Sequence, residues 1–137
     1  LGIGQRALDE MCAYVQTRQI NSHETLADQQ LMKQMIAKSA AELAAARSLV
    51  LETAWRVEHE GFKAAKDKIS LIKFYTAGVL QSIVDRAIQS HGALGVTDDT
   101  ILAFFYREER AARIYDGPDE VHQISVAKSI LKASGAH

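Results

Sequence analysis

Proline cannot continue an α-helix and glycine weakens one, and this sequence keeps both almost wholly outside its periodic apolar stretches: 137 residues hold one proline, Pro118, and eight glycines. Where they occur they mark helix ends. The spacing predicts a first helix from about Gln5 to Arg18, an exit through the polar segment 19–24, and Thr25 as cap of the next helix. From Thr25 to Glu60 the apolar positions Met32, Met35, Ile36, Leu43, Ala46, Val50, Ala54 and Val57 recur three and four residues apart, with Gly61 as the stop. The alanine-rich run Ala40 to Ala46 reads as close helix packing. A third helix runs from about Ala64 to His91 on the stripe Ile69, Ile72, Thr76, Val79, Ile83 and Ala87, and Gly92 stands where a left-handed C-cap is needed. Asp98, Asp99 or Thr100 caps a fourth helix through about Ile114. Pro118 opens the fifth at its first helical position, Asp119 and Glu120 suit the positive end of its dipole, and Val121, Ile124, Ala127 and Leu131 face the core.

No stretch reads as strand, internal repeat or low-complexity tract. The expected fold class is all-α: an antiparallel, up-and-down bundle of four long helices plus a short C-terminal helix, one domain over residues 1–137. Helices of about 30 residues span about 45 Å, long for a domain of this size, so part of their surface is expected to pack on other domains or subunits.

Composition narrows function by exclusion. Sixteen basic and 17 acidic residues leave a net charge of -1, no uniform field for nucleic acid or anionic lipid. No apolar run approaches the roughly 18 residues of a membrane span. Cys12 is the single cysteine and has no base beside it, so a packed thiol is expected. A di-metal bundle site needs paired Glu-x-x-His motifs and further glutamates. The chain offers only Asp119-x-x-His122, read as a cap or a surface pair, and no metal is expected. Glu108 and Glu109, flanked by Arg107 and Arg110, read as solvated ion pairs; Trp55, Phe104, Phe105, Tyr106 and Tyr115 read as core and interface aromatics. On chemistry alone, Asp116 before Gly117-Pro118 reads as a helix cap in preference to a catalytic carboxylate. The segment Gln89-Ser90-His91-Gly92-Ala93-Leu94-Gly95 is either a plain helix end or a small-residue site open to a phosphate-bearing ligand. Arg18 and Gln29 read as ordinary surface residues.

Taken in order, Leu1-Gly2-Ile3-Gly4-Gln5-Arg6-Ala7-Leu8, then Arg18, then Ala87-Ile88-Gln89-Ser90-His91-Gly92-Ala93-Leu94-Gly95-Val96, then Arg107-Glu108, and finally Arg113-Ile114-Tyr115-Asp116-Gly117-Pro118-Asp119-Glu120 carry a resemblance. Over nearly its whole length the chain resembles the C-terminal helical domain of the acyl-CoA dehydrogenase flavoproteins. The start at Leu1, without Met or signal pattern, suggests a piece of a longer subunit, and the resemblance implies that an N-terminal helical domain and a middle β-domain lie outside this chain. It implies FAD between the middle and C-terminal domains and across a subunit boundary. The implied reaction, a step of fatty acid β-oxidation, takes an acyl-CoA thioester to its trans-2-enoyl-CoA: a carboxylate removes the α-proton while the β-hydride passes to flavin N5. The implied partners are the acyl-CoA, an electron-transferring flavoprotein and further copies of the subunit in a homotetramer (a dimer of dimers), in bacterial cytoplasm or the mitochondrial matrix.

The family's base is commonly the Glu of a Tyr-Glu-Gly-Thr segment, matched here by Tyr115-Asp116-Gly117-Pro118. The match puts Asp116 in the base position, makes its backbone N–H the donor to the thioester carbonyl, and sets Tyr115 and Gly117 against the substrate. Asp is one methylene shorter than Glu, so its carboxylate retreats by about an ångström, an error that can cost about a hundredfold unless backbone or substrate differs. For the flavin, Gln89, Ser90, His91, Gly92 and Ala93 match a Gln-x-x-Gly-Gly stretch with Ala93 in place of the second glycine. Pro118 replaces a flavin-contacting threonine, while Asp119 and Glu120 keep that helix start polar. Arg18 matches the arginine of an Arg-x-x-Phe-Gly motif near a neighbouring subunit's adenine dinucleotide, with Asn21-Ser22 in place of Phe-Gly, and Gln29 aligns with a glutamine near the same cofactor portion. From Asp116 to His122 the chain resembles a branch of the family with Asp-Gly-Pro-Asp-Glu-Val-His at this segment. The alternatives are a flavoenzyme resembling nitroalkane oxidases, which use an Asp base, and a non-catalytic helical oligomerisation module.

Overall fold

A computed structural model describes residues 1–135. It holds five α-helices: α1 (Gly2–Thr17), α2 (Gln30–Glu60), α3 (Phe62–His91), α4 (Leu102–Arg110) and α5 (Asp119–Ala133). The all-α class expected from the periodicity is the class observed: among the described residues the sole β-type pairing is an isolated bridge between Gln19 and Thr25. Two helices are long, α2 with 31 residues and α3 with 30. The fourth is shorter than its apolar pattern suggests, because after nine residues it tightens into a 3-10 turn, Ala111–Arg113.

Gly61 alone joins α2 to α3, at φ +84, a conformation that a side chain disfavours. The ion pairs Lys68–Glu52 (3.0 Å) and Arg86–Glu42 (2.6 Å) pair later residues of α3 with earlier ones of α2, the register of an antiparallel hairpin. Every other helix packs on α3. The reason is a second buried row: beside Val79, Ile83 and Ala87 of the expected stripe, Ser70, Ala77, Val84 and His91 recur every seven residues and are also buried. Those residues are small or polar, so apolar periodicity points to one face where the helix uses two. α1 closes the core with Ala7, Leu8, Met11 and Val15 at helical spacing. Met11, Ile83 and Leu102 are fully buried, each worth about 1.5–3 kcal/mol relative to exposure.

Several local expectations are corrected. Thr25 caps not α2 but the 3-10 turn Leu26–Asp28, in a capping box where Asp28 Oδ2 accepts the Thr25 N–H at 2.8 Å. α2 begins at Gln30 without a side-chain cap. Within α2 the buried row is Ser39, Leu43, Ala46 and Thr53, whereas Ala54 and Val57 are exposed, and Ala46 is the one buried alanine of the alanine-rich run. Ile101, not Asp98, Asp99 or Thr100, precedes α4, and no side chain caps it. Asp98 instead meets Arg107 at 3.5 Å, in place of the pairing expected of Arg107 with its neighbouring glutamates.

Pro118 occupies the cap position of α5, one place earlier than expected. The roll of α5 is also reversed. Val121, Ile124 and Leu131 are 57%, 55% and 55% exposed and Ala127 is exposed, while Asp119 and Val126 are buried and His122 lies half-buried between them. The cause is polar anchoring: Asp119 and His122, three residues apart, both reach α3, and that fixes the face turned inward.

Candidate active site

The segment 114–118 links the 3-10 turn at Ala111–Arg113 to α5. Tyr115 N–H bonds to the Ala111 carbonyl at 3.0 Å. The next two residues are both left-handed, Asp116 at φ +54 and Gly117 at φ +92. Asp tolerates this conformation through its short polar side chain. Gly117 has a second requirement, since a Cβ there would stand 2.9 Å from His122 Nε2. Asp116 is therefore not the helix cap; Pro118 holds that position. The exposed Asp116 carboxylate makes no hydrogen bond among the described residues. It borders a cleft of about 280 Å³ with Ala77 and Leu80 of α3 on its apolar side and Lys73, Thr76, Glu109 and Tyr115 as its other polar members.

Beneath the turn, His122 Nε2 lies 3.1 Å from the Asp116 carbonyl oxygen and its Nδ1 lies 3.3 Å from Ser70 Oγ on α3. Beside it, the Asp119 carboxylate, 3% exposed, accepts from Arg113 Nε at 2.7 Å and stands 3.5 Å from Lys73 Nζ. The hydrogen bond to Asp119, then its charge, raises Arg113 above the ordinary guanidinium range. The Asp119-x-x-His122 pair is thus neither a surface pair nor a cap. Among the described residues no group of three or more His, Cys, Asp or Glu side chains is placed to hold a metal ion.

A second cleft, about 580 Å³, lies at the C-terminal end of α3, between Tyr14, Arg18, Gln19, Ile20 and Leu26 on one side and Gln89, Ser90, His91, Gly92, Ala93 and Leu94 on the other. It brings together Arg18 and the stretch 89–93, which are distant in the sequence. Ser90 and His91 are buried and turned back onto the helix: Ser90 Oγ donates to the Ala87 carbonyl at 2.7 Å, as does His91 Nδ1 at 2.7 Å. The His91 ring stacks on Tyr14 at 4.1 Å. Gly92, at φ +62, has open space where a Cβ would stand, and Gly95 packs so closely that a Cβ there would lie 2.6 Å from the Ile88 carbonyl oxygen. Gln29 lies outside this cleft, exposed at the start of α2. Pro118 and Glu120 are exposed, and Asp119 is turned inward.

Sequence reasoning missed Tyr14, whose one signal was its place four residues before Arg18, missed Ser70 and Lys73, which carry no apolar or motif signal on α3, and missed the role of His122 on α5, which its motif places but does not explain. Cys12 matches the packed thiol expected: burial, then the charge of Asp9, pushes its thiol up.

A family model described as acyl-CoA dehydrogenase, C-terminal domain, matches residues 1–131. The chain belongs to the acyl-CoA dehydrogenase family. The probable acyl-CoA dehydrogenase FadE2 of Mycobacterium tuberculosis is 44% identical over 131 residues, covering 96% of this chain and 32% of that protein. Acyl-CoA dehydrogenase family member 10 of Mus musculus is 40% identical over 132 residues, 96% of this chain and 12% of its own length. The solved structure of butyryl-CoA dehydrogenase from Megasphaera elsdenii superposes with a TM-score of 0.87 at 25% identity, covering 95% of this chain and 33% of that one. The chain therefore spans about a third or less of the length of these acyl-CoA dehydrogenases.

Proposed function

We propose that this chain is the part of a flavin-dependent acyl-CoA dehydrogenase that supplies the catalytic base, Asp116. The observation that carries the reading is the state of that residue. It sits where the family's base matches, with an unengaged carboxylate beside a cleft that offers Ala77 and Leu80 to an acyl chain. Its backbone N–H likewise has no partner among the described residues, so it is free to donate to a thioester carbonyl. One residue then supplies both halves of the activation: the N–H draws charge onto the carbonyl oxygen, which acidifies the α-carbon, and the carboxylate takes the proton released.

FAD, when bound, supplies the hydride acceptor. The residues at the end of α3 fit such a group. Arg18 presents an exposed guanidinium without an ion pair among the described residues, Gly92 leaves its backbone open to close approach, and Gln89 and Ala93 border the same cleft. Ser90 and His91 shape its wall from within. The exposed apolar residues Leu51, Trp55 and Phe62 of the α2–α3 hairpin and Ile124 and Leu131 of α5 support burial against further copies of the subunit, as a homotetramer built as a dimer of dimers. An electron-transferring flavoprotein as acceptor and a bacterial cytoplasmic or mitochondrial matrix setting complete the proposal.

The test is anaerobic reduction of the full-length flavoprotein that carries this sequence, with a graded series of acyl-CoAs. Wild type bleaches its flavin band, and Asp116→Asn keeps FAD but slows bleaching by about 10²–10⁴-fold. Undiminished bleaching in the variant removes Asp116 from the mechanism. A flavin reduced by small nitroalkanes and by no acyl-CoA transfers the Asp base to an oxidase of that type.

A further inference from the structure

We propose that His122 is a positioning residue that latches the Asp116 turn to α3, and so sets where the carboxylate stands relative to the cleft. The inference rests on the assignment of Asp116 as the base.

The turn has few ties of its own. Among the described residues neither Asp116 nor Gly117 donates a backbone hydrogen bond, and Pro118 has no N–H to donate. The Asp116 carbonyl is held by a side chain, His122 Nε2 at 3.1 Å. A neutral imidazole satisfies both of its contacts at once: Nε2–H donates to the Asp116 carbonyl and Nδ1 accepts from the Ser70 hydroxyl at 3.3 Å. The imidazole also fills the space under the turn, since a Cβ at Gly117 would stand 2.9 Å from Nε2.

The footing of His122 is fixed independently. Ser70 and Lys73 lie three residues apart on α3, and they meet His122 and Asp119, three apart on α5. One turn further along the same helix, Ala77 and Leu80 line the cleft beside Asp116. A single rigid helix therefore references both the cleft wall and, through His122, the base. Loss of the Nε2 donor leaves the Asp116 peptide free to swing about two left-handed residues, and a displacement of about 1 Å in a reacting group costs about a hundredfold in rate.

The experiment uses the FAD-loaded, full-length protein and two amide substitutions that differ in reach. In His122→Gln the amide nitrogen is as many bonds from Cβ as Nε2 is; in His122→Asn it is one bond short. The expectation is that His122→Asn lowers kcat by about a hundredfold while KM stays within about threefold and FAD content is unchanged, and that His122→Gln recovers to within about fivefold of wild type. Amide hydrogen exchange at Tyr115, whose N–H bonds to the Ala111 carbonyl beside the turn, is expected to speed up in His122→Asn and not in His122→Gln, which reads the latch without reference to turnover. Should His122→Asn not fold, Ser70→Ala takes its place: it frees Nδ1 and is expected to lower kcat several-fold at unchanged KM. Equal losses in the Gln and Asn variants, or wild-type kcat in His122→Asn or, in its stead, Ser70→Ala, overturn the latch. Asp116→Asn in the same series separates the two readings. An inert Asp116→Asn beside a fully active latch variant removes the latch alone, whereas an active Asp116→Asn removes the base and the latch with it.

Discussion

Gly61 and Gly95 both sit at turns, yet they are glycine for different reasons. Gly61 has φ +84 and nothing within 4 Å of an added Cβ, so only its backbone conformation matters. Gly95 has no positive φ, and its constraint is contact, with the Ile88 carbonyl oxygen 2.6 Å from the place of a Cβ. Gly61→Ala is expected to cost about 1 kcal/mol. Gly95→Ala is expected to cost about 2–3 kcal/mol, because backbone must shift to admit the methyl. Urea denaturation of the two variants measures the difference, and equal midpoints contradict the contact argument. Gly117 combines both constraints with its neighbour's role. Asp116 and Gly117 are conspicuous in the sequence as an Asp-Gly-Pro turn; the reason Gly117 must be glycine, the imidazole of His122, is visible only once α5 has folded back beneath the turn.

α5 shows how polar anchoring can override apolar pattern. Read by hydropathy alone, Val121, Ile124 and Leu131 belong inside; they lie outside because Asp119 is bound by Arg113 and Lys73 and His122 by Ser70. Removing one member of a buried ion pair strands its partners. Asp119→Asn is therefore expected to destabilise the fold by about 3 kcal/mol, at the low end for such pairs because Arg113 retains solvent. Ile124→Ser, on the outward face, is expected to change the stability of the unassembled chain by no more than about 0.5 kcal/mol. Parallel thermal melts decide it: if Ile124→Ser is the more damaging, the roll of the helix is wrong. α3 makes the complementary case, since its second buried row of Ser70, Ala77, Val84 and His91 is too polar and too small to register as a stripe, yet α5 and the turn depend on it.

At the scale of the whole molecule, the apolar surface outweighs what one bundle of this length can cover. Trp55 is 54% and Phe62 69% exposed near the α2–α3 turn, and Ile124, Ile130 and Leu131 form an outward face on α5. The chain is expected to self-associate at micromolar concentration, and a Trp55→Ser, Phe62→Ser double variant to shift that equilibrium toward monomer with little loss of helicity. Sedimentation velocity reads both, and a wild-type chain that sediments as a monomer contradicts the assembly proposed. The helices themselves and their approximate ends at Gly61 and Gly92 were legible in the sequence, because local backbone chemistry specifies them within a few residues of chain, whereas residues 18, 89–93 and 115–117 stood out as site residues only through the family resemblance. Which face of α5 turns inward, which residues support Asp116, and that Arg18 borders the same cleft as Gln89 and Gly92 were not legible, because each depends on contacts between segments distant in sequence. Ser70 and His122 are 52 residues apart, and only the packing of α5 on α3 makes them neighbours.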